Sequence, residues 1–201
     1  MTTASINLMN DHVHILRLTY VMQVMAQQKS KDVEHFKSVV SLIRNFADGV
    51  HHIKEEKLYF PMMVTKGFST EQGPVAVMLN DHEQGRMYVK GMVEGISLAS
   101  KGLGTAFDDI YRHMFGYAEL LQGHISKENN ILFRMADDAF DDQDQEILVA
   151  EFAQAEDATE SEFKFASATS KIAKLAAIYG VEQESMDFAQ MASQQPMSCH
   201  G

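Results

Sequence analysis

An all-α fold, an antiparallel up-down four-helix bundle with an additional C-terminal helix, is predicted by three features of the 201-residue sequence. Apolar residues recur at the helical spacing through long stretches, and strand-like alternation is nowhere sustained. Only three prolines interrupt the chain, Pro61, Pro74 and Pro196. The breaks between the helical stretches are short, which favours antiparallel neighbours.

The elements follow in order. Ser5 is a good N-cap for a first helix reaching about Gln28, where the polar run Gln27-Gln28-Lys29-Ser30-Lys31 ends it. A second helix runs from about Asp32 to Val64, with Pro61 bending or ending its last turn. Gly67 to Pro74 reads as a loop before a third helix from Val75 to about Ser100, and Lys101-Gly102-Leu103-Gly104 is the next break. A fourth helix covers about Thr105 to Ala136. The aspartates at 137–138 and 141–142 mark a turn before a fifth, from Gln143 to about Tyr179, capped by Gly180. The expected organisation is therefore a bundle over 5–136, a helical extension over 137–180 and a disordered tail over 181–201, whose Cys199-His200 pair is a weak metal signal.

Composition narrows the function. A formal net charge of −11 gives no electrostatic footprint for nucleic acid or an anionic membrane. The lone Cys199 rules out an intrachain disulfide framework and a multi-cysteine metal cage. No apolar run approaches the roughly 20 residues of a spanning helix, and the first residues lack the pattern of a secretory signal. A cytoplasmic protein is expected.

The chemistry lies in an internal repeat. His51, Lys54, Glu55, an aliphatic, Phe60 and Met62 recur as His124, Lys127, Glu128, an aliphatic, Phe133 and Met135, at an offset of 73 residues. Upstream, Asn10-Asp11-His12 recurs as Asn80-Asp81-His82, at an offset of 70. Each half thus carries an Asn-Asp-His on one helix and a His-x-x-x-Glu on the next, whose i and i+4 side chains share a face. Two such hairpins about an approximate two-fold axis bring four histidines and two carboxylates to one central point. Buried without compensation, these groups would cost several kcal/mol; a pair of cations suits them, since neutral imidazole and carboxylate are natural ligands.

Neighbours choose among the nine histidines. His12 is flanked at i±3 and i±4 by Leu8, Met9, Ile15 and Leu16, so it faces the core; His14 has mostly polar neighbours and faces solvent. His35 lies about 24 Å along its helix from His51, too far to join. His113 reads as packing or an access route. His52 breaks the symmetry, its counterpart being Ile125, and is either a surface histidine or a seventh ligand. In the second case two bridging carboxylates, Glu55 and Glu128, an oxo or hydroxo bridge, and five histidines split three and two leave one metal five-coordinate. Such an opening is what a small molecule needs. Asp11, Asp81, Lys54 and Lys127 recur and could support the ligands from behind, although the lysines read more naturally as a solvated face. Arg86, one turn after His82, either reaches a carboxylate or forms a surface salt bridge. Tyr59, Phe60, Tyr117 and Phe133 read first as packing.

The sequence resembles the hemerythrin-like, HHE cation-binding family over about Leu8 to Ala136. The resemblance rests on Asp11-His12, His51-His52-Ile53-Lys54-Glu55-Glu56, Gly73-Pro74, Asp81-His82-Glu83 and His124-Ile125-x-Lys127-Glu128-Asn129. It implies a four-helix bundle holding a non-haem, carboxylate-bridged pair of Fe ions on His12, His51, Glu55, His82, His124 and Glu128. It also supports His52 as the seventh ligand, because one hemerythrin-like domain has an extra carboxylate ligand at that place. Where oxygen-carrying members have His-x-x-x-His, this chain has His82 followed by Arg86, and its last carboxylate is Glu128 rather than an aspartate one residue later. The stretch 67–83 is nearer the iron–sulfur-cluster repair type. The expected function is binding or sensing of O2, NO or peroxide at an open iron position. The alternative is a stress-defence enzyme, with a redox partner, that reduces NO or peroxide or supplies iron for cluster repair.

Overall fold

The computed structural model describes residues 3–181. Cys199, His200 and the rest of the expected tail beyond Val181 lie outside the described residues. Among the described residues there is no strand. Helix α1 is Ala4–Gln27. Helix α2 is one helical run made of Val33–Leu42, Ile43–His51, His52–Lys54, Glu55–Tyr59 and Phe60–Thr65. Helix α3 is Gly73–Ser100, and α4 joins Ala106–Lys127, Glu128–Leu132 and Phe133–Ala139. Two shorter helices follow, α5 (Asp142–Asp157) and α6 (Phe165–Tyr179). Helix α3 lies along α4, α4 along α1 and α2 along α3, which gives the four-helix ring, with α5 and α6 laid against α1.

Two details differ from the sequence expectation. The N-cap of α1 is Thr3, which accepts from Ile6 N, while Ser5 sits one turn inside and bonds Tyr59 and Asp137. The expected single fifth helix is broken into α5 and α6. Glu156, Asp157, Glu160 and Glu162 put negative charge where the helix dipole is already negative, and Thr159 and Ser161 compete for backbone hydrogen bonds. Apolar periodicity resumes after the break with Ala168, Ile172, Leu175 and Ala176, so periodicity alone hides it. Gly180 ends α6 as expected: at φ 70° it lets Val181 N bond Ala176 O at 2.8 Å.

The core is two apolar clusters separated by a polar layer. One contains Ile15, Ala47, Val89 and Leu121; the other contains Leu8, Tyr59, Met78 and Leu132. On each bundle helix one member of the first pairs with one of the second, and the residue between them is a histidine: His12, His51, His82 and His124 in turn. No described helix is long and apolar enough to cross a membrane.

Candidate metal centre

All seven residues singled out from the sequence meet in this layer, none more than 5% exposed. They form two groups of donor atoms, each group within 4.8 Å. One is His12, His51, Glu55 and Glu128; the other is His52, Glu55, His82 and His124. Glu55 belongs to both: its Oε1 is 3.4 Å from His51 Nε2 and its Oε2 3.4 Å from His82 Nε2. Glu128 Oε2 likewise lies 3.3 Å from His12 Nε2 and 3.2 Å from His124 Nε2. Within the groups, the Nε2 atoms of His12 and His51 are 3.1 Å apart and those of His82 and His124 3.2 Å.

The outward nitrogens decide what those inward atoms are. Four of the five Nδ1 atoms hydrogen-bond an oxygen acceptor, Asn129 for His12 at 2.8 Å, Asp11 for His51 at 3.2 Å, Asp48 for His52 at 3.1 Å and Glu56 for His82 at 2.8 Å, while His124 Nδ1 lies 3.4 Å from the Asp81 carboxylate without hydrogen-bond geometry. An acceptor there places the proton on Nδ1 and leaves the Nε2 lone pair aimed at the centre. All four oxygens of Glu55 and Glu128 are buried and have no hydrogen-bond partner. Four such lone pairs, the His124 ring and two unpartnered carboxylates thus converge, an arrangement that only positive charge relieves. The titration behaviour agrees. Burial holds His51 well below its ordinary range, and burial with the neighbouring His82 lowers His52 to about 4. Burial also opposes charge on His82 and His124, but the adjoining carboxylates outweigh it, raising them to about 8 and about 10. Without cations, protons are drawn in to balance the acids. The donor set therefore fits metal ions.

The supports repeat as the ligand candidates do. Asp11 and Asp81 are equivalent, and Glu56 and Asn129, each following the ligand-type glutamate of its own half, hold the first-helix histidine of the other half. The halves differ around the extra histidine. His52 is held by Asp48, and Arg86 binds Asp48 at 2.8 Å and Glu56 at 2.6 Å. At the equivalent offsets the other half has Ile125, Leu121 and Leu16, all apolar. Arg86 thus reaches carboxylates behind the histidines, neither of the two at the centre. Although burial alone would raise them, Asp48 and Glu56 are held down to about 2 by the histidines and Arg86.

Backbone geometry explains how consecutive His51 and His52 both reach the centre. Ile43–His51 closes i→i+5, with His52 N bonding Ala47 O, so more residues share each turn and neighbouring side chains diverge less than in an α-helix. The corresponding stretch before His124 is regular α-helix, and Ile125 turns into the apolar core. The same widened turn recurs immediately at both glutamates, in Glu55–Tyr59 and Glu128–Leu132. No side-chain motif encodes this, which is why His52 stayed ambiguous in sequence.

The remaining histidines are elsewhere. His35 bonds Tyr179 at 2.7 Å, pinning α6, and the His113 ring packs on Gly91. His14, expected in solvent, is half-buried with its ring 5.2 Å from that of Phe165 on α6. Lys54, expected on a solvated face, is completely buried: Nζ binds Asp11 at 2.6 Å, Asn7 at 2.8 Å and Glu156 of α5 at 2.8 Å.

A helical bundle with a central layer of histidines and shared carboxylates defines a histidine/carboxylate metal protein. Residues 3–136 match the hemerythrin HHE cation-binding domain, and the chain belongs to that family. It binds metal, and the family's metal is iron. Among curated proteins it is similar to iron-sulfur cluster repair protein YtfE of Escherichia coli O139:H28 and of Shigella boydii serotype 18. Each is 29% identical over 125 residues, 61% of this chain. The match spans 56% of the length of those relatives. No solved structure gives a significant match.

Gly49 lies inside the widened turn, where a Cβ would stand 2.8 Å from the Arg44 carbonyl oxygen. In an ordinary helix Gly→Ala gains about 1 kcal/mol. Here the sign should reverse, because only a backbone shift could relieve the contact. Gly49→Ala is expected to lower the melting temperature and, by turning His52 aside, to weaken metal retention about tenfold. Thermal unfolding and metal content of the purified variant check both.

Proposed function

We propose that the seven residues hold a carboxylate-bridged pair of iron ions, with a small molecule (O2, NO or peroxide) bound or sensed at an open position. His12 and His51 would serve one ion, His52, His82 and His124 the other, and Glu55 and Glu128 both, with an oxo or hydroxo bridge completing the centre. The observation that carries this reading is the unequal division of imidazoles around two shared carboxylates. With equal sharing, the group holding two histidines is one donor short of its partner. Bound iron would supply redox change and Lewis acidity. The chain's own residues fix four of the five imidazoles through hydrogen bonds at Nδ1 and exclude water with apolar clusters above and below the layer. The Phe133 ring stacks 5.6 Å from His12, and that of Phe60 6.1 Å from His82. Tyr59 is tied away from the centre by its 2.7 Å bond to Ser5.

A second reading is iron–sulfur-cluster repair, favoured by the similarity to the iron-sulfur cluster repair proteins YtfE, or reduction of NO or peroxide with a redox partner. One experiment addresses both. The purified chain is expected to carry two irons with the absorption of a bridged ferric pair, and the reduced protein to give a discrete optical species on rapid mixing with O2 or NO. Steady consumption of NO or peroxide, lost in Glu128→Ala, would favour the second reading. One zinc per chain and no such absorption would overturn both.

A further inference from the structure

A cavity of about 200 Å³ opens beside the group with three histidines, with His52 and His82 in its wall. A cavity of about 150 Å³ accommodates benzene, so this space exceeds what a diatomic molecule requires. Ile43, Val89 and Leu121 supply an apolar lining. Tyr117 lines it, 3% exposed, with its hydroxyl buried and without a hydrogen-bond partner.

The rim is as informative as the interior. Arg44 and Lys90 line it, both exposed and neither with a carboxylate partner among the described residues. Arg86 is already occupied by Asp48, Glu56 and Glu83. In a chain of net charge −11, two unpaired cations at one cavity mouth select for an anion. Apolar walls select for an organic body rather than a hydrated inorganic ion, and a buried phenol with no partner offers its proton to an oxygen acceptor.

We propose that this cavity binds a small organic carboxylate of about benzoate size, drawn in by Arg44 and Lys90 and hydrogen-bonded by the Tyr117 hydroxyl. None of these three residues belongs to the seven donors, so the site does not depend on which ion the centre holds. A carboxylate lodged there would cover His52 and His82 and so control what reaches that side of the centre.

Calorimetric titration of the full, metal-loaded chain with benzoate at low salt tests this directly. The expected result is saturable binding of one benzoate per chain, with neutral benzamide and inorganic nitrite at least about tenfold weaker. Tyr117→Phe, which removes only an unpaired hydroxyl and should not lower the melting temperature, is expected to weaken benzoate about tenfold. The Arg44→Ala/Lys90→Ala double variant should weaken it about threefold or more and flatten its salt dependence. Leu121→Phe, which narrows the space, should abolish it. Absence of benzoate binding at millimolar concentration overturns the proposal, as would equal binding of benzamide or nitrite or an unchanged affinity in Tyr117→Phe. Repeating the titration with zinc in place of iron separates this outcome from the proposed function. Benzoate binding that survives the exchange belongs to the cavity, and binding seen only with iron belongs to the ion and overturns the cavity site.

Discussion

Glu55→Ala is expected to strip both ions from the protein, whereas His52→Ala should leave at least one. Glu55 turns one oxygen to each donor group, and both oxygens lack any other partner. His52 belongs to the second group alone. Removing a group that merely supports a metal ligand costs about 10–100-fold in affinity, and removal of a donor shared by two ions should exceed that at each. Iron measured after desalting should fall below about a tenth of the wild-type value in Glu55→Ala. Retention of one iron per chain by that variant would show that the carboxylate is not shared. The metal-loaded wild type should also melt well above the stripped protein, because an ion bound only by the folded state stabilises it by mass action.

The second large effect concerns two lysines at equivalent places in the repeat. Lys54→Ala is expected to destabilise the fold by about 3–5 kcal/mol, the usual penalty for breaking a fully buried ion pair. Lys127→Ala should cost about 1 kcal/mol or less. Lys54 is 0% exposed and binds Asp11 and Glu156, whereas the Lys127 side chain is 42% exposed and pairs with Asp81, at 2.5 Å. Burial already raises Asp11 despite the lysine beside it. Without Lys54 the acid would take up a proton and its hold on His51 Nδ1 would weaken. Urea unfolding of both variants tests the contrast; equal losses would mean that burial is not what separates them.

These two lysines also mark the limit of what the sequence discloses. The donors are legible because their chemistry resides in residue types at i and i+4, and the repeat displays them twice. Lys54 and Lys127 look identical at that level. Their difference arises because α5 covers one and leaves the other open, and nothing local to either residue records where α5 goes. Glu56 and Asn129 could have been found, since each follows a glutamate of the repeat, but they differ in type and only the fold shows that each crosses to the opposite half. Asp48 has no polar counterpart at all. The break between α5 and α6 was hidden for a different reason: core-facing residues continue in helical register on both sides, and the interruption comes from charge at a helix end.

Lys54 has one more implication. Its salt bridge to Glu156 crosses from the bundle to α5, and Leu148 and Phe152 of α5 share a cluster with Phe60 and Phe133. The family match stops at residue 136, yet hydrophobic interior and electrostatic wiring run on past it without a seam. The border of the family match and the border of the packed unit therefore differ in this molecule: a helix beyond the match forms part of the wall behind a histidine.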